Sequence, residues 1–291
     1  MIQIIDSMPM AEYHANPALG HSGAVVLMER CPAHYAYALT QPEAQKREFD
    51  IGTAVHNYVL EPEHFTSRLV IVRGVTKDGR ASAGYASQAA KDQRDHAYNN
   101  GMTPLLPEEH VGVIQMGQSV LCHPLAGPLL KGGISERTFL WEDEEFQIAR
   151  KCRPDYITLA DDGATVVNFK TDRNAHPEAI RKTLWNNNWF TSEAFTREGL
   201  EAHGIKVKQY LYLVVEKEPP YLVAVYQLPR RAVEWGHAWC RKAVETLARC
   251  QKTGVWPGYG DAIQEVDPPG WADFRWEERS VAGEFSIKEG A

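Results

Sequence analysis

The sequence predicts an α/β fold in which a central mixed sheet is flanked by helices, and three observations point there. Residues 137–141, 147–158 and 165–169 read as three successive strands, separated by the polar turns Asp143-Glu144-Glu145 and Asp161-Asp162-Gly163. Segments of helical period lie on both sides of them, at 50–60, 108–121 and 230–253. The chain has 291 residues, 44% hydrophobic and 24% charged, which is enough apolar material for a large core in an ordinary globular protein.

Taken in order, 21–41 reads as two short helices broken at Cys31-Pro32, with Ser22 capping the first and Pro32 opening the second. In 50–60 the positions Ile51, Val55, Tyr58 and Val59 share one helical face. Residues 68–72 form a short β-branched strand. The Gly-, Ser-, Lys- and Asn-rich stretch 74–104 is expected to be exposed and mobile around a helical piece. After 108–121 comes the three-strand meander, then a helix at 177–185. A long helix is expected over 195–216, interrupted near Gly204. An apolar strand follows at 221–228 and a long helix at 230–253. Residues 1–275 are expected to form a single domain with a helical elaboration at the N-terminus, and 276–291 a disordered tail.

Composition excludes some classes. No apolar run is long enough to span a bilayer, and the first six residues lack the basic region of a secretory signal, so a cytoplasmic protein is expected. The net charge of −7 does not announce a nucleic-acid binder, although an acidic surface is compatible with a locally basic channel. Five scattered cysteines, Cys31, Cys122, Cys152, Cys240 and Cys250, contain no C-x-x-C pair, which argues against zinc and disulfide frameworks. Cys31, Cys240 and Cys250 faintly echo an iron–sulfur arrangement without its tight spacing, and inert buried thiols fit better.

Chemistry concentrates at Arg153-Pro154-Asp155 and Val166-Val167-Asn168-Phe169-Lys170. Alternation on a strand puts residues 168 and 170 on one face, and a hairpin brings that face beside Asp155. Phosphodiester hydrolysis needs a cation on the phosphate and an activated water. Mg²⁺ (or Mn²⁺) takes oxygen ligands. The Asp155 carboxylate, the Asn168 oxygen and the Phe169 carbonyl are candidate ligands, with Lys170 orienting water and offsetting phosphate charge. A surface hairpin with ordinary charges also fits this short motif. Glu136 is a candidate further carboxylate, or an exposed strand-end acid. His56 is a candidate ligand, or a satisfied polar residue of its helix. Lys208, Gln209, Tyr210 and Tyr212 are candidate DNA-backbone contacts, with packing and solvation as the alternative.

Several blocks together resemble the exonuclease VIII (RecE) C-terminal nuclease family. They are Tyr13-His14, Pro17, Ser22 and Pro32-Ala33-His34-Tyr35; Gly52-Thr53-Ala54-Val55-His56 with Leu60-Glu61-Pro62-Glu63-His64-Phe65; the two stretches around Asp155 and Lys170; Glu216-Lys217-Glu218-Pro219-Pro220-Tyr221; and Gly254-Val255-Trp256-Pro257-Gly258-Tyr259. The resemblance spans roughly residues 10–272. It implies a restriction-endonuclease-like PD-(D/E)xK core related to λ exonuclease and Mg²⁺-dependent, 5′-to-3′ resection of linear duplex DNA ends. It further implies a ring-shaped homo-oligomer and a partner single-strand annealing protein of the RecT kind in phage-type recombination; no membrane association is expected, as no apolar run is long enough for it. By position it assigns His56, Glu136, Asp155, residue 168 and Lys170 to the active site. Ser22, Lys208, Gln209 and Tyr212 are the candidate DNA-binding residues.

Two departures stand out. The family has Asp or Glu where this chain has Asn168, so a charge that holds a dication is missing. Asp172 is the nearest replacement acid, two positions past the lysine. The family also carries Gln-x-x-x-Tyr on the following helix, whereas Tyr212 here pairs with Lys208, and Gln209 is one position off, as an insertion around 186–201 would produce. A catalytically weakened or inactive DNA-end-binding protein, and a nuclease for RNA or branched DNA, therefore stand beside the exonuclease reading.

Overall fold

A computed structural model describes residues 2–41, 47–75, 80–82 and 84–285. The chain divides into two compact units, Met1–Trp256 and Pro257–Ala291. The first opens with β1 (Gln3–Ile5), α1 (Met10–Ala15), α2 (His21–Val25), which runs on into a π-helical segment, and α3 (Pro32–Ala38). Next come α4 (Asp50–Leu60), α5 (Pro62–Phe65), β2 (Leu69–Ile71), β3 (Gly74–Val75), β4 (Ala81–Ser82), α6 (Gln88–Asn99), β5 (Thr103–Leu105), α7 (Pro107–Cys122) and α8 (Ala126–Leu129). The middle holds β6 (Ile134–Ser135), β7 (Thr138–Asp143), β8 (Ile148–Cys152), β9 (Tyr156–Ala160) and β10 (Gly163–Asp172). It is followed by α9 (Pro177–Asn186), α10 (Trp189–Ala202), β11 (Val207–Glu216), β12 (Val223–Tyr226) and α11 (Arg230–Thr253). The second unit carries α12 (Gly270–Val281).

The main sheet has the strand order β12-β11-β10-β9-β6, with β10 parallel to β11 and the other neighbours antiparallel. It is therefore mixed, as expected. Strand alternation divides its side chains between two cores. Val166, Tyr210, Tyr212 and Val214 face one core, shared with α10 and α11. Val167, Phe169, Leu213 and Val215 face the other, shared with α4 and α7. A cleft opens where β8, β10 and α10 meet the N-terminal helices α1, α2 and α3.

The expected meander needs correction. Residues 147–158 are two strands, β8 and β9, broken at Arg153-Pro154-Asp155. Pro154 has no N–H to give a ladder. The break sends β8 into a separate antiparallel sheet, β1-β7-β8, and leaves Asp155 at the entrance to β9.

The expected long helix over 195–216 is likewise two elements. Gly204, at a φ of +73°, lies in the turn between α10 and β11. Residues 210–215 are a continuous aromatic and aliphatic run, and the period of such a run does not distinguish a buried strand from a buried helix. Lys208, Gln209, Tyr210 and Tyr212 thus lie on a strand.

Ser22 does not cap α2, whose N-cap is Gly20. Pro32 opens α3 as expected. Within 74–104, β5 is buried beside β2, and Ser87 caps α6 by accepting from the Ala90 amide at 3.2 Å. Residues 76–79 and 83 lie outside the described residues, as does 286–291 of the expected tail. Residues 276–281, placed in that tail by the sequence, are the end of α12, and the Trp276 ring meets that of Phe285 just beyond it. Among the described residues no helix is long and apolar enough to cross a membrane.

Candidate active site

Asp155 anchors the site through a short structural chain. Its Oδ2 accepts from the Phe169 backbone N–H at 2.7 Å, which ties the start of β9 to the end of β10. A residue's N–H and C=O leave a strand along the same edge, so the Phe169 carbonyl shares the edge that faces Asp155. Lys170 Nζ lies 3.9 Å from the same carboxylate oxygen.

Glu136 arrives from the other side. It directly follows β6, and its N–H donates to the Asp155 carbonyl at 3.2 Å. Its φ is +52°, in the left-handed region that a residue with a Cβ enters only at a cost. That backbone is held by a buried guanidinium. Arg153 Nε sits 3.3 Å from Glu136 Oε2 and donates to the Glu136 carbonyl at 3.1 Å, while its other arm donates to the Met8 carbonyl.

His56 completes the group from α4. Buried neighbours Ala54, Val55 and Val59 fix that helix on the sheet, and the His56 ring meets Phe169 edge-on, centroids 6.1 Å apart. Its Nε2 is 3.1 Å from Glu136 Oε1 and 3.9 Å from Asp155 Oδ1. Burial acts to lower the His56 pKa, but the bond to Glu136 and the charge on Asp155 outweigh it and hold the pKa above the ordinary histidine value. One ligand atom from each of His56, Glu136 and Asp155 lies within 4.8 Å of the others. It is the one such group of three among the described residues. Cys31, Cys240 and Cys250 do not converge: Cys31 Sγ pairs with His34 Nδ1 at 2.8 Å, and Cys240 donates to the Thr191 carbonyl.

Beside this group opens a cleft of about 350 Å³, lined among others by Asp155, Asn168, Lys170, His21, Ser192 and Thr196. Asn168 and Lys170 therefore share a face, as strand alternation requires. Asn168 is only 6% exposed. Its Nδ2 donates to the Tyr210 hydroxyl at 2.9 Å, and its buried Oδ1 has no hydrogen-bond partner. An unsatisfied buried oxygen costs about 1–3 kcal/mol unless something else satisfies it. Asp172, the other acid considered, instead accepts from the Arg173 and Asn174 amides in the turn after β10.

The cleft contains residues that sequence reading passed over. His21 donates from Nε2 to Thr191 Oγ1 at 2.7 Å, because that hydroxyl already donates to the Asn188 carbonyl. Burial and the nearby Lys170 charge pull the His21 pKa down to about 4, against an opposing bond to the Asn188 backbone, so the ring is neutral at pH 7. Ser192 and Thr196 stand four apart on α10, the spacing of the Gln-x-x-x-Tyr pair. Both line the cleft, whereas none of residues 208–212 does. The sequence reading places the pair at Lys208 and Tyr212 and misses Ser192 and Thr196.

Of the residues assigned to DNA contact, Ser22 lines the cleft. Lys208 is exposed at an irregularity of the β10–β11 pairing and bound to Asp162. Gln209 pairs in register with Thr165. Tyr212 is fully buried and donates to the Trp189 carbonyl at 2.8 Å, so it is closed to DNA.

The donor set suits a divalent cation: two carboxylates, one imidazole, a peptide carbonyl on the right edge, and an unsatisfied amide oxygen in the adjoining cleft. A family model described as a PDDEXK-like domain of unknown function (DUF3799) matches residues 21–268. Among solved structures, a "Putative exonuclease" from Eubacterium rectale is similar with a TM-score of 0.57 at 12% identity, over 92% of this chain and 98% of that one. Identity that low carries the fold alone. The protein SSO0001 is similar with a TM-score of 0.29 at 14% identity, over 68% of this chain and 84% of its own. No curated protein matches the chain.

Proposed function

Because the chain belongs to the family of PDDEXK-like domains of unknown function (DUF3799), we propose that it is a metal-dependent nuclease that hydrolyses phosphodiester bonds in DNA. The observation that carries this reading is the convergence of His56, Glu136 and Asp155 within 4.8 Å, beside Lys170. Asp155, Glu136 and His56 would hold the cation, with the Phe169 carbonyl and Asn168 Oδ1 as further donors. The ion, Mg²⁺ or Mn²⁺, supplies positive charge against the scissile phosphate and lowers the pKa of water.

The remaining work falls to the chain. Lys170 offsets negative charge developing on the phosphate and holds the attacking water by hydrogen bonding. Arg153 fixes the Glu136 carboxylate and backbone. The Phe169 amide orients Asp155, so the carboxylates are placed before substrate arrives. Within this reading, and resting on the resemblance described above, the substrate is a linear duplex end degraded 5′ to 3′. The same resemblance supports a ring-shaped homo-oligomer that works with a RecT-like annealing protein in recombination.

Asn168 favours a second reading, a nuclease-fold protein that binds DNA ends without cutting. It lacks the charge of an acid and is tied to Tyr210. Incubation with linear and closed circular duplex, with and without Mg²⁺, separates the two. The exonuclease reading expects Mg²⁺-dependent loss of the linear DNA alone, stronger in Asn168→Asp, with 5′-end label released first. End binding without digestion by either protein would establish the second reading and overturn the first.

A further inference from the structure

Outside the cleft, the surface of the first unit carries two exposed tryptophans that the hydrolytic chemistry does not use. Trp185 on α9 is 37% exposed and Trp235 on α11 is 55% exposed. Their rings lie 5.8 Å apart, and Trp185 also meets Phe190 of α10 at 4.8 Å. A tight crossing sets this arrangement. Gly236, the residue after Trp235, packs so closely on α10 that a Cβ there would stand 2.5 Å from the Phe190 carbonyl oxygen. Phe190 is two residues from Ser192, which lines the cleft.

The surroundings are basic in a chain whose net charge is −7. Arg181 and Lys182 precede Trp185 by one helical turn, and Arg231 precedes Trp235 by one turn, with Arg230 beside it. Two of these cations have exposed carboxylate partners, Arg181 with Glu178 and Arg230 with Glu234. Such pairs are worth little and yield readily to a competing anion. Lys182 and Arg231 are in no ion pair among the described residues. Two arginines in the first turn of α11 oppose the helix macrodipole, so helix stability does not account for them.

We propose that Trp185 and Trp235, with Arg181, Lys182, Arg230 and Arg231, form a secondary binding site for single-stranded DNA. Bases stack on the indoles, and the four cations take the phosphates. The site deepens the nuclease reading and rests on it, since resection of a duplex leaves a single strand next to the cleft. An open aromatic surface flanked by cations matches the chemistry of unpaired bases on a polyanionic backbone. A duplex hides its base faces and offers the indoles nothing.

The test measures binding of a fluorescein-labelled oligothymidylate by anisotropy in EDTA, so that hydrolysis plays no part. Stacking of one base on an aromatic ring strengthens binding by about 5- to 150-fold. Trp235→Ala is expected to weaken binding at least about fivefold, the double variant Trp185→Ala/Trp235→Ala more, and Trp235→Phe to retain most of it. Arg231→Glu and Lys182→Glu each reduce the slope of log affinity against log salt by about 0.7 per lost phosphate contact. Circular dichroism confirms that each variant is folded. Oligothymidylate affinity of the folded double variant within twofold of the parent overturns the proposal. So does a change in sedimentation without a change in affinity, which makes the face an interface between copies of the chain. Digestion of linear duplex in Mg²⁺ is read separately: a protein that binds through these tryptophans yet never cuts overturns the nuclease reading alone.

Discussion

Replacing Asn168 by aspartate puts a carboxylate where the parent has a buried amide oxygen without a partner. Without metal the change is costly. The side chain is 6% exposed and borders the same cleft as Asp155, so the new charge loses hydration and meets a like charge. A donor to Tyr210 is also lost, although the hydroxyl can turn to donate instead. A loss of about 1–3 kcal/mol follows. With metal the sign reverses. Two unit charges 4 Å apart are worth about 1 kcal/mol even at the dielectric of bulk water, and a dication doubles this. A gain of at least about 1.4 kcal/mol, or tenfold in affinity, is the conservative expectation. At a cation concentration that saturates both proteins, that difference raises the metal-induced increase in Tm by about 3 °C. Differential scanning fluorimetry with and without MnCl2, beside isothermal titration, reads both effects. A metal-induced shift no larger in Asn168→Asp than in the parent refutes the placement of residue 168 among the metal's donors.

Three further outcomes are expected. Lys170→Met removes the ammonium and nearly keeps the volume; cleavage of linear duplex falls by about 10²-fold or more while the metal-induced Tm shift persists, and full activity in a time course would sink the role given to Lys170. His237 Nδ1 bonds Glu198 Oε1 at 2.7 Å, and that bond holds its pKa above the usual value against partial burial. Stability from a raised pKa is complete below the unfolded value of about 6.5 and is lost as pH rises through the folded value, so Tm declines above about pH 6.5 and declines less in His237→Gln. Equal slopes in the two proteins would contradict the coupling. Gly236→Ala places a Cβ 2.5 Å from the Phe190 carbonyl oxygen and 2.8 Å from Ala194 Cβ; α10 and α11 must separate, at about 1–3 kcal/mol, and the urea midpoint drops. An unchanged midpoint would show that the crossing is not close.

The sequence by itself determined the elements whose signal is local. Helices α4 and α11 follow from their apolar period, α3 from Pro32, and the β9–β10 hairpin from its β-branched runs about Asp161-Asp162-Gly163. It also marked Asp155, Asn168 and Lys170 as candidates, because acid, amide and lysine types at strand spacing are readable without coordinates. Tertiary structure alone decided what those residues meet. Whether 207–216 is strand or helix depended on the backbone of β10 being available to pair with it, since the buried apolar run 210–215 has no polar face to mark its period. Glu136 reaches Asp155 because β6 pairs with β9, and His56 reaches both because α4 packs on the sheet from a position eighty residues earlier in the chain. The same long-range packing closed Tyr212 to solvent and opened His21, Ser192 and Thr196 to the cleft. Periodicity reports which face of an element is apolar; only the arrangement of elements fixes which polar groups share a pocket.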